Sequence, residues 1–227
     1  MRKCVASAAL VLIMLGALRG MADTYGPDAW GQTWTYEILN GTSVRITGVA
    51  DKTLPYDAAN FPWTFTNGGT TYTVTQIGAN ACLQWYALTG DLVMPPTVQE
   101  LGNYAFYECA NLVSVTFSEG IKKMGSHLFS MGCKTQEKPF SLIIPASLDS
   151  LDRQMFQWGG CNIASAWFKG KPDVTSGTQP YTAIAVYNTL YASPSLLKTV
   201  LIGKNTDAIT TANKGLFVHK CGSVLVA

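Results

Sequence analysis

Cysteines, histidines and paired carboxylates are the residues in this sequence that could do chemistry. A nucleophilic cysteine needs a histidine within hydrogen-bonding reach. The only histidines in this sequence of 227 residues are His127 and His219. His219 lies two residues before Cys221, which is adjacency on the chain rather than a catalytic arrangement. Asp149 and Asp152 could in principle act as a glycosidase pair, but their place in a turn favours solvated or capping carboxylates. Because no phosphate-binding loop, dinucleotide fingerprint, Gly-x-Ser-x-Gly or HExxH motif is present either, the sequence predicts no catalytic residues, no metal site and no cofactor.

The beginning of the chain has the pattern of an export signal. Residues 1–3 are a short basic segment, residues 4–18 are an uncharged apolar run, and residues 20–22 end in small side chains. A membrane-spanning helix needs about 20 apolar residues, so this shorter run favours a cleaved signal peptide over an anchor. We expect residues 1–22 to be removed, a mature chain that begins at Asp23, and a secreted or cell-surface location.

The charge balance excludes several classes of partner. The chain carries 16 basic and 14 acidic residues, and loss of Arg2, Lys3 and Arg19 with the signal would leave 13 basic residues against 14 acidic ones. A nearly neutral exported chain has no electrostatic bias towards nucleic acid or anionic lipid. We therefore expect no nucleic-acid partner. We also expect no membrane span after signal cleavage.

A repeat organises the chain after residue 74. Four similar segments carry an apolar residue five positions before a Phe or its replacement. These apolar positions are Ile77, Leu101, Met124 and Leu151, so successive copies begin about two dozen positions apart. A fifth, looser copy covers Ile209 to Phe217, after a long insertion at residues 169–196. Because stacked copies can bury an apolar face that a single copy cannot, we expect the four residues to form one buried column.

Each copy is followed by a short alternation of apolar and other residues, the pattern of a strand with one buried face. The alternating segments are Leu92–Met94, Val115–Phe117, Leu142–Ile144, Ala166–Phe168, Val200–Ile202 and Val224–Val226. One strand and one compact turn in every copy of this length predict a mostly β solenoid of stacked parallel strands with short helical turns.

The repeat resembles the BspA-like leucine-rich repeats of secreted and surface bacterial proteins. The stretches that carry the resemblance are Pro96 to Phe117, which fits almost every signature position, and Leu197 to Gly203. It extends over about residues 72–227, with Cys82 in a Phe position and Asp152 in a Gly position. The resemblance implies a leucine-rich repeat solenoid used for binding or adhesion, and it identifies no partner.

Residues 23–73 lack the repeat and alternate around two turn signals, Asn40-Gly41 and Asn67-Gly68-Gly69, which predict β-hairpins. A solenoid end needs a cover for its apolar core and unpaired strand edge. The chain is therefore expected to comprise a signal peptide (1–22), an N-terminal β-hairpin cap (23–73) and a solenoid of about five repeats (74–227). No similar cap follows the last strand. We expect that strand to be an exposed edge, or to be covered by another chain through end-to-end self-association.

Five cysteines would remain in the mature chain, an odd number that leaves at least one thiol or an intermolecular bond in an oxidising compartment. They are Cys82, Cys109, Cys133, Cys161 and Cys221. All but Cys82 lie three to five residues after a Phe position, which favours small apolar fillers of the turns, and no CxxC pair supports a metal site. A disulfide between Cys109 and Cys133 is the open alternative, because equivalent positions of neighbouring repeats lie within bridging distance.

The alternation also fixes which strand residues face away from the core, because residues i and i + 2 share a face. Stacking aligns these outward residues into two columns. The first consists of short hydroxyl residues and one acid: Asp91, Ser114, Ser141, Ser165, Thr199 and Ser223. The second is mostly apolar: Val93, Thr116, Ile143, Trp167, Leu201 and Leu225. An outward apolar column is typical of a contact surface, unless the 169–196 insertion folds over it.

The sequence thus favours a binding module over an enzyme. The candidate contact residues, expected on the concave face, are Ser114, Thr116, Ile143, Ser165, Trp167, Thr199 and Leu201. The preferred hypothesis is a secreted or surface adhesion module that recognises a protein or glycan, with Trp167 as its aromatic anchor. The alternative is a structural repeat segment of a larger surface assembly, without a dedicated ligand.

Overall fold

The computed structural model describes residues 22–130, 132, 140–151, 163–170, 173–174, 199–202 and 223–226. Several predictions fall outside these residues. They are the export signal, the copy at 209–217, most of the 169–196 segment, and the roles of Cys133, Cys161 and Cys221.

The described residues form sixteen strands and one 3₁₀ turn at Ala58–Asn60. The N-terminal strands are β1 (Asp23–Tyr25), β2 (Trp34–Asn40), β3 (Ser43–Val49), β4 (Tyr56–Asp57), β5 (Thr64–Asn67) and β6 (Thr70–Ile77). The later strands are β7 (Leu88–Val93), β8 (Glu100–Leu101), β9 (Leu112–Thr116), β10 (Lys123–Met124), β11 (Phe140–Ile144), β12 (Ser150–Leu151), β13 (Ile163–Phe168), β14 (Asp173–Val174), β15 (Thr199–Ile202) and β16 (Ser223–Val226). The expected mostly β fold is confirmed.

One long sheet carries the predicted buried column. Its order is β1-β2-β3-β6-β8-β10-β12-β14, and β5 pairs with β6 beside this path. From β3 onward all neighbours along the path are parallel. The register aligns Ile77, Leu101, Met124, Leu151 and Val174, and the first three of these side chains are buried. The repeat register read from the sequence is therefore confirmed wherever the side chains are described.

The column extends one strand further than the sequence indicated. Asp173–Val174 pairs in parallel with Ser150–Leu151. The interval from Leu151 to Val174 equals the interval from Leu101 to Met124, so it is an interval of the repeat itself. Asp173 and Val174 therefore continue the repeat inside the segment that the sequence assigned to an insertion at 169–196.

The longer strand of each described repeat belongs to a second row that is divided into two sheets. β4, β7 and β9 make one parallel sheet, and β11, β13, β15 and β16 make another. The described inward side chains are buried as predicted: Leu92, Met94, Val115, Phe117, Leu142 and Ile144. The sequence predicted continuous columns along this row. Among the described residues the pairing instead breaks between Thr116 of β9 and Ile143 of β11, although β13 and β15 stay paired across a longer interval of the chain.

The turns of the repeats form a third ladder instead of helical turns. The backbone N–H of Asn80 donates to the carbonyl of Asn103 in the next repeat (3.0 Å). That of Tyr104 donates to the carbonyl of Ser126 in the same way (2.9 Å). Asn80, Tyr104 and His127 occupy equivalent places, and each has a left-handed backbone (φ 59°, 58° and 53°). Neighbouring repeats are therefore joined by backbone hydrogen bonds at their turns as well as at their strands.

A single aromatic core joins the N-terminal hairpins to the repeats. Both predicted hairpins are confirmed, since β2 pairs antiparallel with β3 and β5 with β6. The buried ring of Trp34 contacts Tyr56, Phe61 and Trp85, with centroids 5.5, 4.7 and 5.6 Å apart. Trp85 belongs to the first repeat, so cap and solenoid share one core. Within the described ranges, no helix is long and apolar enough to cross a membrane.

Candidate binding surface

The outward residues of the second row of strands are aligned within each of its two sheets. In the four-stranded sheet, Ile143, Trp167 and Leu201 are register partners, and Ser165 pairs with Thr199. In the three-stranded sheet, Asp91 aligns with Ser114 and Val93 with Thr116. The seven candidates therefore fall into two groups: Ser114 and Thr116 on one sheet, and Ile143, Ser165, Trp167, Thr199 and Leu201 on the other.

Apolar side chains are exposed on this face. Val93, Val113 and Ile143 are 53%, 44% and 37% exposed, and Thr116 lies exposed among them. A single exposed apolar residue is ordinary, but these residues lie on neighbouring strands: Val93 and Thr116 are register partners, and Ile143 lies on β11, which contacts β9 without pairing with it. The sequence prediction missed Val113 because strict alternation from the inward Val115 would turn it towards the core, whereas the register of β7 and β9 shifts here and leaves Val113 without a strand partner. We call Val93, Val113, Thr116 and Ile143 the apolar patch.

Trp167 is half-buried rather than fully open to solvent. Its indole Nε1 is buried and makes no hydrogen bond within the described part of the chain. The ammonium of Lys169 lies 5.6 Å from the ring centroid, which is a cation–π distance. Lys169 is the first residue of the 169–196 segment, so that segment begins by covering part of the ring. The indole still borders the apolar patch through its register partner Ile143.

Glu119 holds this lysine beside the tryptophan. Its Oε1 lies 3.6 Å from Lys169 Nζ, and its carboxylate accepts the N–H groups of Ser147 (3.0 Å) and Ala146 (3.3 Å). Burial alone would raise the pKa of Glu119, but the two N–H donors and the lysine outweigh burial and lower it below its ordinary value. A charged pair therefore lies next to the apolar patch.

Part of the hydroxyl column is already hydrogen-bonded within the protein. Ser114 Oγ donates to Asp91 Oδ1 at 2.6 Å, so these two outward residues of neighbouring repeats are joined to each other. A ligand that approached this end of the column would meet a carboxylate whose orientation is already fixed.

Three of the residues that suggested chemistry, His127, Cys82 and Cys109, have structural roles in the described part of the chain. The ring of His127 stacks on Tyr104 (4.8 Å between centroids, 7° between planes). Cys82 is a buried thiol, and burial raises its pKa to about 12. Cys109 is also a buried thiol in this structure rather than half of a disulfide, and its Sγ donates to the carbonyl of Cys82 (3.2 Å). The filler interpretation is thus confirmed for Cys109. No group of three potential metal ligands occurs in the described part of the chain.

A polar cleft on the first sheet is a feature that the sequence analysis missed. Its volume is about 470 Å³, and its polar side chains come from Arg45, Glu100, Asn103, Lys123 and Ser150. Arg45 belongs to the cap and the others to three successive repeats. No repeat pattern connects Arg45 to the others, so only the parallel pairing of β3 with β6 brings them to one surface.

Comparison with known proteins identifies the repeat. Residues 75–161 match the family model described as BspA type Leucine rich repeat region (6 copies). These residues are therefore leucine-rich repeats of the BspA type, and the resemblance seen in the sequence is confirmed. Comparison with curated proteins gives no match.

Solved structures of bacterial leucine-rich repeat proteins resemble the chain. A leucine-rich repeat protein from Bacteroides ovatus is 21% identical with a TM-score of 0.51, over 85% of this chain and 54% of that one. This likeness shows the shared fold. One from Bacteroides capillosus is 27% identical with a TM-score of 0.49, over 66% and 99%. A leucine rich cell surface protein from Faecalibacterium prausnitzii is 17% identical with a TM-score of 0.43, over 89% and 76%.

Proposed function

We propose that this chain is a secreted or cell-surface leucine-rich repeat module that binds a protein or glycan, and that it is not an enzyme. The contact face is the outward side of the second row of strands. The observation that carries the proposal is the apolar patch, whose exposed side chains lie on stacked strands next to the half-buried Trp167.

The physical argument rests on the free energy that a partner would gain from this surface. Complete burial of a Val or Ile side chain contributes roughly 1.5–3 kcal/mol. The Val and Ile side chains of the apolar patch are about half exposed, so a partner that covered them could gain about half of that free energy. The neighbouring Ser114 hydroxyl, the Asp91 carboxylate and the Lys169–Glu119 pair supply polar groups around the patch. An apolar centre with a polar rim suits specific recognition.

Export is part of the same proposal. It is supported by the basic, apolar and small-residue pattern of residues 1–22 and by the BspA type of the repeat. Mass spectrometry of the chain isolated from culture medium or cell envelope should give an N-terminus at Asp23. An intact Met1 on exported material would contradict a cleaved signal.

The binding proposal is tested by placing a charge in the patch. The exported chain is immobilised and its binding to a glycan array and to purified surface proteins is measured. Ile143→Lys should weaken the strongest interaction at least about tenfold, because it would bury a charge against the partner. Trp167→Ala should weaken it as well, by removing the aromatic anchor.

Ile38→Lys is the matched control, because Ile38 is also an exposed isoleucine (44%) but lies on the cap hairpin. It should leave binding unchanged. Equal loss in both lysine variants, or no loss in either, would contradict the proposed face. If Ile143→Lys changes only the oligomeric state seen by light scattering, the structural-assembly alternative is the correct one.

A further inference from the structure

The polar cleft runs across five strands of the first sheet. Its axis follows one column of register partners, namely Arg45, Gln76, Glu100, Lys123 and Ser150 on β3, β6, β8, β10 and β12. At about 4.8 Å per strand, the column is about 19 Å long. A linear ligand fits this shape better than a compact one.

Glycines form the floor of the cleft, and the structure shows why side chains are missing there. A Cβ on Gly102 would lie 2.4 Å from the backbone nitrogen of Ala79. A Cβ on Gly125 would lie 2.6 Å from the backbone nitrogen of Asn103. Both distances are far below contact, so the close stacking of the turns requires glycine. The same requirement leaves the floor open along the axis of the solenoid.

The charged groups at the middle of the cleft have no partners within the described residues. Glu100 and Lys123 are register neighbours, yet neither takes part in an ion pair or a side-chain hydrogen bond there. Arg45, in contrast, is paired with Glu37 (3.1 Å) and donates to Gln76 Oε1 (2.8 Å). The charge at the Arg45 end of the column is thus paired within the protein. The centre of the column, in contrast, presents the carboxylate of Glu100 beside the ammonium of Lys123, both unpaired within the described part of the chain.

Two neutral groups extend this pattern. Oδ1 of Asn103 accepts the N–H of Ser126 (2.9 Å), which leaves its amide NH₂ available as a donor. The hydroxyl of Ser150 makes no side-chain hydrogen bond with any described residue and lines the same end of the cleft as Lys123. The donors therefore gather around Lys123, and the carboxylate acceptor lies next to them at Glu100.

We propose that this cleft binds an extended peptide segment of about six residues that carries a basic and an acidic side chain close together. The length follows from about 19 Å at roughly 3.3 Å per extended residue. The basic side chain pairs with Glu100 and the acidic one with Lys123, Asn103 and Ser150. No described residue that lines the cleft is aromatic, so a sugar ring would find no stacking surface. The site lies on a different sheet from the apolar patch and does not depend on it.

The test uses an array of synthetic hexapeptides in a Gly/Ser/Thr background with one Lys and one Glu, only Lys, only Glu, or neither. Binding of the exported chain is measured by fluorescence polarisation at low salt. Peptides with both charges should bind most tightly, by about fivefold for each charge. Glu100→Gln should remove the advantage of the peptide lysine, and Lys123→Gln that of the peptide glutamate.

Lys122→Gln and Asp149→Asn are matched controls, since both residues are exposed neighbours of the column but do not line the cleft. They should leave the peptide ranking unchanged. Lys123→Glu should change the specificity of the cleft, so that peptides with only Lys become the preferred ligands. An unfolded variant could not show such a gain of binding. The proposal is overturned if charged hexapeptides bind no better than neutral ones, if the controls act as strongly as the cleft variants, or if the cleft variants reduce binding of a glycan and not of peptides.

Discussion

The rings of Phe106 and Phe129 stack with centroids 5.3 Å apart and planes only 4° from parallel. The two residues occupy the same position of successive repeats, and both are fully buried. Stacking of equivalent rings is the aromatic counterpart of the aliphatic column at Ile77, Leu101 and Met124. It contributes both buried area and a favourable parallel ring contact between repeats.

Replacing Phe106 with Ala should lower the free energy of unfolding by about 3–5 kcal/mol, because the change removes a buried ring and leaves a cavity between two repeats. Phe106→Leu should cost less than half as much, since it retains most of the volume. Urea denaturation followed by tryptophan fluorescence measures both. Val113→Ala, at an exposed position, is the control and should stay within about 0.5 kcal/mol of the wild type. A loss at Phe106 no larger than the control would show that the stacked rings do not support the core.

The sequence predicted the repeat register because a solenoid must bury one apolar residue at the same place in every copy. Ile77, Leu101 and Met124 follow this rule, and all three are buried. The hairpins were predictable for a similar reason, since Asn-Gly and Gly-Gly turns need left-handed backbone that glycine adopts easily. Gly68 and Gly69 have that conformation (φ 58° and 79°).

Features that depend on contacts between distant segments could not be predicted. The break between β9 and β11 does not follow from repeat length, because β13 and β15 stay paired across a longer interval, and the apolar pattern does not encode it. Arg45 lines the same cleft as Glu100 and Lys123 only because the cap continues the first sheet. Cys82 occupies the position that Phe has in the later repeats. In the structure, Phe61 of the cap packs against Phe106 (6.1 Å between centroids), so a cap ring meets the end of the aromatic column.

The Cys82 thiol should make stability fall with pH in alkaline solution. Burial raises its pKa from 9.0 to about 12, so the folded state keeps a proton that the unfolded state releases between these values. The free energy of unfolding therefore falls as pH rises through that window, by at most about 1.4 kcal/mol per pH unit. Below pH 9 the stabilisation that the protonated thiol provides is fully present.

The effect of this thiol is isolated by comparing wild type with Cys82→Ala from pH 7 to 10.5 by urea denaturation. The difference in the free energy of unfolding between the two proteins should shrink above pH 9, because only the wild type has this thiol, whose titration favours the unfolded state. Labelling with a maleimide should also be slow for Cys82 without denaturant and fast with it. A constant difference across the pH range, together with rapid native labelling, would contradict the buried thiol.

Glu119 should stabilise the chain above the ordinary pKa of a glutamate and lose that effect in acid. Its pKa is lowered in the folded state, so its contribution is fully present above 4.5 and declines as pH falls through the lower folded value. Glu119→Ala should cost about 1 kcal/mol at pH 7, because the N–H groups of Ala146 and Ser147 lose their acceptor. Lys169→Met should cost less, since an exposed ion pair contributes little. Thermal unfolding at pH 7 and pH 3 measures this; a cost for Glu119→Ala that is unchanged at pH 3 would refute the assignment.

Asp28 should be the most sensitive carboxylate of the N-terminal cap. Its Oδ2 accepts the indole N–H of Trp34 (2.9 Å) and the hydroxyl of Tyr56 (2.8 Å), and its Oδ1 accepts the N–H groups of Trp30 (3.0 Å) and Gln32 (2.9 Å). Burial alone would raise the pKa of Asp28, but these four donors lower it overall, and the same carboxylate helps raise the pKa of Tyr56. The stability that Asp28 provides is therefore present at neutral pH and lost in acid.

Asp28→Asn keeps the size of the side chain but replaces one acceptor oxygen with a donor amide. An NH₂ group facing Trp34 and Tyr56, or Trp30 and Gln32, leaves donors without acceptors, so we expect a loss of about 2–3 kcal/mol at pH 7. Asp51→Asn is the matched control, because the Asp51 carboxylate accepts local hydrogen bonds on the surface, mainly from the N–H and hydroxyl of Thr53. Urea denaturation at pH 7 and pH 3.5 should show a large gap between the two variants that narrows in acid, as wild-type Asp28 becomes protonated. Equal stabilities of Asp28→Asn and Asp51→Asn at pH 7 would mean that the hydrogen bonds of Asp28 do not stabilise the cap.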